Sequence, residues 1–205
     1  MIGIIDYGMG NLMSLSNALK KINVDFSFIE NANNKNNFTH LILPGVGAYP
    51  SAIDEIKKRK LDIFLNEKRE KNLPILGICL GMQVLSNLGT ENDQSTNGLD
   101  FIPGTVENIS KINALNKCHV GWNNIKFKEN LKIFESINEN SHFYFDHSYY
   151  FKVANDKNIL CTSNYMDSFA SGVIEKNVIG FQFHPEKSHD KGLQILKNFH
   201  KNFYA

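Results

Sequence analysis

Two hydrophobic patterns alternate along the first half of the chain. Short apolar runs predict four buried strands, at 2–5, 24–29, 40–43 and 74–78. Between these runs, apolar residues such as Leu12, Leu15 and Leu19 recur at every third or fourth position, which is the spacing of one helix face. Helices are predicted after Asn11, after Pro50, over 61–71 and over 81–88. Strands that alternate with helices in this way build a parallel sheet with helices on both faces.

The second half of the chain has more strand signals than helix signals. Its apolar and alternating runs predict six strands, at 105–109, 124–127, 143–151, 159–164, 170–175 and 178–183. A last helix is predicted over about 190–203. The predicted fold class is therefore α/β, a mixed sheet with a parallel centre flanked by helices, in a single domain over 1–205.

Charge and hydropathy exclude several classes of function. The chain has 22 Lys and Arg residues against 21 Asp and Glu residues, so its net charge is +1. This balance lacks the electrostatic footprint of a nucleic-acid-binding protein and gives no reason to expect a membrane surface as partner. The first residues do not form a signal peptide, and no apolar run approaches the roughly 20 residues of a membrane span.

The cysteines and histidines point to a reducing compartment and to no bound metal. The three cysteines, Cys79, Cys118 and Cys161, are odd in number and form no C-x-x-C pair. This argues against a disulfide framework or a zinc site and favours the cytoplasm. The histidines are scattered without metal-ligand spacing, so no metal or organic cofactor is expected.

The sequence G-I-C-L-G at 77–81 carries the strongest chemical signal. It lies between a predicted apolar strand and a predicted helix, which is the setting of a nucleophile elbow with a thiol in place of the usual hydroxyl. The helix start next to Cys79 favours a thiolate, and the backbone N–H of Leu80 is a candidate oxyanion donor. The alternative is a small buried cysteine between two glycines.

A candidate base follows the predicted strand at 178–183. His184 and Glu186 are two residues apart, so in extended backbone they share one face, with Pro185 fixing that geometry. A histidine held by a carboxylate is the base and orienting group of a triad, here with Cys79 as nucleophile. Without the cysteine, the same pattern describes a solvated strand end. Cys79 and His184 both follow strands, and sites in parallel sheets collect at the carboxyl ends of strands.

The sequence P-G-V-G at 44–47 also follows a predicted strand. Its glycines free the backbone to turn an N–H inward, so the Val46 amide is predicted to be the second oxyanion donor. The rival interpretation is a phosphate-binding loop. Neither G-x-x-x-x-G-K-[ST] nor G-x-G-x-x-G occurs in the chain, which argues against a nucleotide site.

Taken in order, three motifs resemble those of the class I glutamine amidotransferases: P-G-V-G at 44–47, G-I-C-L-G-M-Q at 77–83 and F-H-P-E-K-S at 183–188. The motifs H-V-G-W-N at 119–123 and Y-F-D-H-S-Y at 144–149 are similar to those of the glutaminase subunits of imidazole glycerol phosphate synthases. The resemblance spans nearly the whole chain and implies a flavodoxin-like core.

This resemblance implies a thiol-dependent glutaminase. Cys79 attacks the amide carbon of glutamine, His184 gives a proton to the departing ammonia, and water releases glutamate. The oxyanion donors are Val46 and Leu80. The resemblance also implies that six residues contact the substrate glutamine: Gly47, Gln83, Glu91, His147, Ser148 and Tyr149.

The resemblance further implies a partner. A synthase (cyclase) subunit of the (β/α)8-barrel type receives the ammonia in a heterodimer and makes imidazole glycerol phosphate and aminoimidazole carboxamide ribonucleotide in histidine biosynthesis. Four residues are assigned to the partner interface: Trp122, Asn123, Tyr144 and Lys187. The alternative is a paralogous subunit that feeds ammonia to a different synthase, such as one that amidinates a surface sugar.

Departures from the family pattern lie on the partner side of the motifs. Cys118 stands where proline is common, and Val120 where methionine or isoleucine is usual. Asp146 replaces a usual valine. A carboxylate at that position is costly if it is buried without a partner, and it can shift the pKa of His147. These departures leave the identity of the synthase open.

Overall fold

The computed structural model describes residues 1–34, 36–112, 118–129 and 131–203. The strands within these ranges are β1 (Ile2–Ile5), β2 (Phe26–Ile29), β3 (His40–Gly45), β4 (Ile75–Cys79), β5 (Leu88–Gly89), β6 (Thr96–Asn97), β7 (Gly104–Asn108), β8 (His119–Asn124), β9 (Lys126–Phe127), β10 (His142–His147), β11 (Tyr149–Val153), β12 (Ile159–Tyr165), β13 (Asp167–Glu175) and β14 (Val178–Phe181). The α-helices are α1 (Leu12–Lys21), α2 (Tyr49–Lys58), α3 (Leu61–Glu70), α4 (Leu80–Gln83) and α5 (His189–Asn202). None of the described helices is long and apolar enough to cross a membrane.

An eight-stranded sheet forms the centre of the molecule, in the order β2-β1-β3-β4-β14-β13-β12-β9. The first five strands are parallel, and the last three pair in antiparallel fashion. The predicted mixed sheet with a parallel centre is therefore confirmed. The order β2-β1-β3-β4-β14 is that of flavodoxin-like sheets, in which ligands bind beyond the carboxyl ends of the strands.

The core lies on both faces of this sheet because successive side chains of a strand point in opposite directions. In β1, Ile4 joins the cluster that contains the apolar faces of α1 and α5, whereas Ile5 joins the cluster that contains those of α2 and α3. Helix α1 begins as predicted, because the side chain of Asn11 accepts a hydrogen bond from Ser14 N at 3.2 Å.

Two smaller sheets lie beside the central one. Strands β10 and β8 form an antiparallel ribbon, and four strands form a second sheet in the order β11-β7-β5-β6. The strand predicted over 143–151 is therefore wrong as one element, since it breaks at Ser148 between the two sheets. The Ser148 carbonyl accepts a hydrogen bond from Ile109 N, which joins this break to the end of β7.

The predicted helix over 81–88 is also shorter than expected. Helix α4 ends at Gln83, and the next amides bond three residues back, from Leu85 N to Met82 O and from Ser86 N to Gln83 O. The strand register places this short helix at the site, because Cys79 lies opposite Gly45 and Ile78 lies opposite Phe181. The ends of β3, β4 and β14 thus meet at one edge.

Candidate active site

Cys79 occupies a sharp turn between β4 and α4. Its backbone has φ 54° and ψ −111°, a conformation that non-glycine residues rarely adopt. The turn is possible because α4 lies directly on β3. A Cβ atom on Gly81 would lie 1.7 Å from the Leu43 carbonyl oxygen, and one on Gly77 would lie 2.6 Å from Gly81 O. Strain of about 1–3 kcal/mol at such a residue is typical of functional sites.

The Cys79 thiol is almost fully buried but has polar neighbours. Its Sγ lies 3.8 Å from Asp146 O and 3.7 Å from Gln182 Nε2, which donates toward the sulfur. Cys79 also lies close enough to His184 to raise the pKa of its imidazole. The backbone therefore has the sharp strand-to-helix turn of a nucleophile elbow, and Cys79 lies next to a histidine and lines a pocket.

His184 and Glu186 form a buried pair. The Nδ1 atom of His184 lies 2.7 Å from Glu186 Oε1, and the two side chains are 2% and 4% exposed. Their shared face arises from a short 3-10 turn over Pro185–Lys187, not from the extended backbone that the sequence predicted. The backbone of His184 is fixed by its N–H bond to Tyr144 O at 2.9 Å and by the hydroxyl of Ser188, which donates to His184 O at 2.6 Å.

This environment favours a charged imidazole. Burial of the ring lowers the pKa of His184, but hydrogen bonds to Cys79 and Glu186 and their negative charges outweigh burial and raise that pKa to about 10. An imidazolium beside the sulfur is the setting in which a cysteine nucleophile reacts, and the placement of His184 next to Cys79 fits that chemistry.

A pocket of about 320 Å³ opens beside Cys79. All six predicted substrate-contact residues line it: Gly47, Gln83, Glu91, His147, Ser148 and Tyr149. Gln83 is held in place, because its Nε2 donates to Tyr149 O at 2.9 Å and to Gln182 Oε1 at 3.0 Å. Glu91 Oε2 accepts the first backbone N–H of α2, from Tyr49, at 2.6 Å. A larger hollow of about 500 Å³ beside Arg69 and Asn177 contains none of these residues.

Of the two backbone N–H groups predicted to be oxyanion donors, one is available to a substrate and the other is already hydrogen-bonded. Leu80 is the first residue of α4 and lines the pocket, so its N–H is not used within its own helix. Val46 also lines the pocket, but its N–H donates to Met9 O at 3.1 Å. The assignment of Val46 as a donor is therefore corrected for this conformation, because one N–H cannot serve both the loop before α1 and a substrate oxygen.

Three of the four predicted partner residues lie together in one surface patch, which we call the aromatic surface: Trp122, which is exposed, and Tyr144 and Lys187, which are half-buried. Trp122 is 48% exposed and stacks on His189, with ring centroids 5.0 Å apart. Tyr144 packs edge-on against Trp122, and the Lys187 ammonium lies 5.5 Å from the centre of the Tyr144 ring. Val120, 58% exposed, and Asp146 face each other across the same ribbon.

Asn123 is the exception to the interface prediction. Neighbouring residues of a strand point to opposite faces, so Asn123 cannot share the outer face of β8 with Trp122. Its side chain instead hydrogen-bonds inward to His119 Nε2 and to Asn164 O. The assignment of the Asn123 side chain to the partner surface is therefore corrected.

The concern about Asp146 is answered by its placement. The residue is exposed, so its carboxylate is not buried. The pKa of His147 is lowered to about 3, mainly by burial and further by His119 and His184, against a hydrogen bond to Tyr149 that raises it. Asp146 is not among these causes.

Three residues in or next to the pocket were not assigned to the site from the sequence. Gln182 touches both Cys79 and Gln83, Asp146 lines the pocket next to Cys79, and His119 contacts His147. The signal for His119 was present in principle, because it pairs directly with His147 in the β8–β10 register. That signal required the strand pairing, which a single sequence does not provide.

Comparison with known proteins identifies the family. The model of the family described as "Glutamine amidotransferase class-I" matches residues 3–203. The chain belongs to the class I glutamine amidotransferases. Two relatives of this amidotransferase are imidazole glycerol phosphate synthase subunit HisH 2 of Methanococcus maripaludis, 42% identical over 202 residues, and subunit HisH of Caldanaerobacter subterraneus, 42% identical over 200 residues. The first match covers 98% of this chain and 99% of the relative, and the second covers 97% of each.

Solved structures agree on the fold at much lower identity. PurLQS from Thermotoga maritima superposes on the amidotransferase with a TM-score of 0.77 at 17% identity, over 97% of this chain and 96% of the other. A glutamine amidotransferase from the same organism superposes with a TM-score of 0.66 at 16% identity, over 97% and 81%. The fold of this chain is thus shared by proteins whose sequences have diverged widely.

Proposed function

We propose that this chain is the glutaminase subunit of an imidazole glycerol phosphate synthase and that it hydrolyses glutamine to glutamate and ammonia. The observation that carries the hydrolysis is that Cys79, which lines the pocket with the predicted glutamine-contact residues, lies next to the buried pair of His184 and Glu186. The assignment to this synthase is supported by the relatives named as its HisH subunits, which match nearly the whole chain. We also propose that the enzyme is cytoplasmic, which its free cysteines support. Residues 1–205 are proposed to form a single domain.

The first half of the reaction forms a thioester. The Cys79 thiolate attacks the side-chain amide carbon of glutamine, and the Leu80 N–H stabilises the oxygen that becomes negative. The His184 imidazolium then donates its proton to the amide nitrogen, so the carbon–nitrogen bond breaks and ammonia leaves. Glu186 keeps the Nδ1 of His184 protonated, which directs the other ring nitrogen to the reacting atoms.

The second half releases glutamate. Neutral His184 takes a proton from water as the water oxygen attacks the thioester carbon, and the carbon–sulfur bond breaks to return the thiolate. We assign the carboxylate of Glu91 to the substrate's α-ammonium group, and its position in the pocket, held by the hydrogen bond from the Tyr49 N–H, supports this assignment. Gly47, Gln83, His147, Ser148 and Tyr149 enclose the rest of the glutamine molecule.

Ammonia passes to a partner subunit, which we propose is a (β/α)8-barrel cyclase bound as a heterodimer. The aromatic surface supports this, because tryptophan and tyrosine are enriched at interface hot spots and Trp122 is exposed beside a half-buried Tyr144. In histidine biosynthesis, the cyclase makes imidazole glycerol phosphate and aminoimidazole carboxamide ribonucleotide. The alternative is a paralogue that serves another synthase. Val120 and Asp146, which depart from the family pattern, lie on the face that would discriminate between the two partners.

A covalent label tests the proposed chemistry. An electrophilic analogue of glutamine is expected to modify Cys79 alone, since only this thiol lines the pocket among the described residues. Cys118 is the internal control, because it is exposed but lies outside the pocket. Peptide mass spectrometry after incubation with the cyclase present locates the adduct. Equal labelling of Cys118, or no label on Cys79, would reject a glutamine site at this thiol.

Replacing Trp122 with alanine tests the interface. We expect the affinity for the cyclase to fall by at least about 30-fold, because a central tryptophan hot spot contributes roughly 2 kcal/mol or more. Ile63→Ala is the matched control, since Ile63 is 62% exposed on α3, away from the aromatic surface. Titration calorimetry gives both dissociation constants. Unchanged affinity and unchanged stimulation in the Trp122 variant would assign this side chain to a purely structural role.

A further inference from the structure

A continuous line of hydrogen bonds runs beneath the β8–β10 ribbon to the glutamine pocket. It starts at Asn123, on the inner face of the strand whose outer face carries Trp122. Asn123 Nδ2 lies 3.2 Å from His119 Nε2, and His119 Nδ1 lies 3.0 Å from His147 Nε2. His147 Nδ1 then lies 2.8 Å from Tyr149 O, which also accepts from Gln83 Nε2 at 2.9 Å. The line ends at two residues that line the pocket.

The chemistry of the end groups fixes the direction of every bond. A carbonyl oxygen only accepts, so His147 Nδ1 carries a proton and donates to Tyr149 O. In a neutral imidazole the other nitrogen is then an acceptor, so His147 Nε2 accepts from a protonated His119 Nδ1. His119 Nε2 accepts in turn from Asn123, whose amide orientation is set by its bonds to Asn164 O and from Asn124 N. Each member has its donors and acceptors matched in only one arrangement.

Packing keeps both rings in this arrangement. His119 is stacked between the rings of Phe145 and Tyr165, with centroids 4.7 Å and 4.2 Å away. His119 and His147 are direct cross-strand partners, and both are buried. Burial lowers the pKa of each ring, to about 4 for His119 and to about 3 for His147, so both are neutral at pH 7. A neutral pair can hold the donor and acceptor pattern that a charged ring would break.

We propose that His119 is a positioning residue for glutamine binding, which acts through His147 to fix the Tyr149 carbonyl and the Gln83 amide at the pocket wall. The proposal rests on the proposed function. The proposal extends the site to a residue that does not line the substrate pocket. It also connects the pocket, through hydrogen bonds, with the strand that carries Trp122. Loss of the His119 donor leaves His147 Nε2 as a buried acceptor without a partner, so the His147 ring, and with it the Tyr149 carbonyl that accepts from its Nδ1, is held less firmly.

Two substitutions separate the hydrogen bond from the packing. His119→Phe keeps an aromatic ring between Phe145 and Tyr165 but removes both polar contacts, and His119→Asn restores an amide donor near the position of Nδ1. In the complex with the cyclase, we expect the phenylalanine variant to raise KM for glutamine about 10-fold, with kcat within a factor of about two. The asparagine variant should have a KM close to that of the unmodified chain. Tyr165→Phe is the matched control, because it removes only a hydroxyl that donates to Cys118 O.

The outcomes distinguish the proposal from simple packing and from failure of the proposed function. An unchanged KM in the phenylalanine variant, or equal increases in both variants, would overturn the positioning role. Nitrogen NMR of the unmodified chain supplies a readout that needs neither activity nor a folded variant. The line of hydrogen bonds requires the Nδ1–H tautomer of both His119 and His147 at pH 7. An Nε2–H tautomer of either ring would overturn the proposal. If both tautomers are as expected but the complex does not hydrolyse glutamine, the proposed function is wrong while the line of hydrogen bonds is confirmed.

Discussion

Replacing Cys79 with alanine abolishes glutamine hydrolysis, with an expected loss of about 10⁶-fold in kcat. The reason is that no other described thiol lines the pocket, so the thioester has no substitute nucleophile. The fold should persist, since alanine is smaller than cysteine and keeps the polar backbone of the turn. Glutamate release in the presence of the cyclase measures the loss, and the melting temperature confirms the fold.

Cys118→Ala is the control for the Cys79 variant. Cys118 is exposed and lies outside the pocket, so its removal should leave hydrolysis within about a factor of two, as for ordinary surface substitutions. Substantial hydrolysis by the Cys79 variant would show that the strained turn has a structural purpose and that the reaction uses another group.

Substitutions in the buried His184–Glu186 pair are expected to differ in size. His184→Ala removes the group that moves the proton in both half-reactions, and we expect a loss of about 10⁶-fold in kcat. Glu186→Gln keeps an oxygen that can accept from His184 Nδ1 but removes the charge that supports the imidazolium. We expect the smaller loss of about 10⁴-fold, as for orienting carboxylates in other triads.

The pH dependence of hydrolysis checks the same assignment. The charge of Glu186 is one of the causes that raise the pKa of His184, so its loss should lower that pKa. The protonated form of the ring would then be lost at lower pH in the Glu186→Gln variant. A larger loss of activity from Glu186→Gln than from His184→Ala would contradict the roles assigned to the two residues.

The sequence predicts the parallel half of the fold well because its signals are local. Each of these strands is an apolar run bounded by turn residues, and each helix has its own periodicity. The same locality explains the correct placement of Cys79 and His184 at one edge, since both follow strands of one parallel sheet. The β-rich half depends on which strands pair, and that is why the break at Ser148 between two sheets was not predicted.

The errors at the site have the same physical origin. The glycines around Val46 indicate that its N–H can turn inward, but only the position of the Met9 carbonyl decides where it points. The resemblance assigned Asn123 to the partner interface together with Trp122, although strand alternation sends the two side chains in opposite directions. His119 became visible as a site residue only through its register with His147 and its ring contacts.

The most direct measurement is glutamate release from glutamine by the chain alone, with the cyclase subunit of the same organism, and with the cyclase and its nucleotide substrate. We expect slow release by the chain alone, because the Val46 N–H is bonded to Met9 O and one missing oxyanion donor costs about 10²–10³ in kcat. The occupied cyclase should raise the rate strongly. Full turnover without the partner would indicate a free-standing hydrolase. Absence of stimulation, with Cys79 still reactive, would contradict the assignment to imidazole glycerol phosphate synthase and point to a different ammonia acceptor.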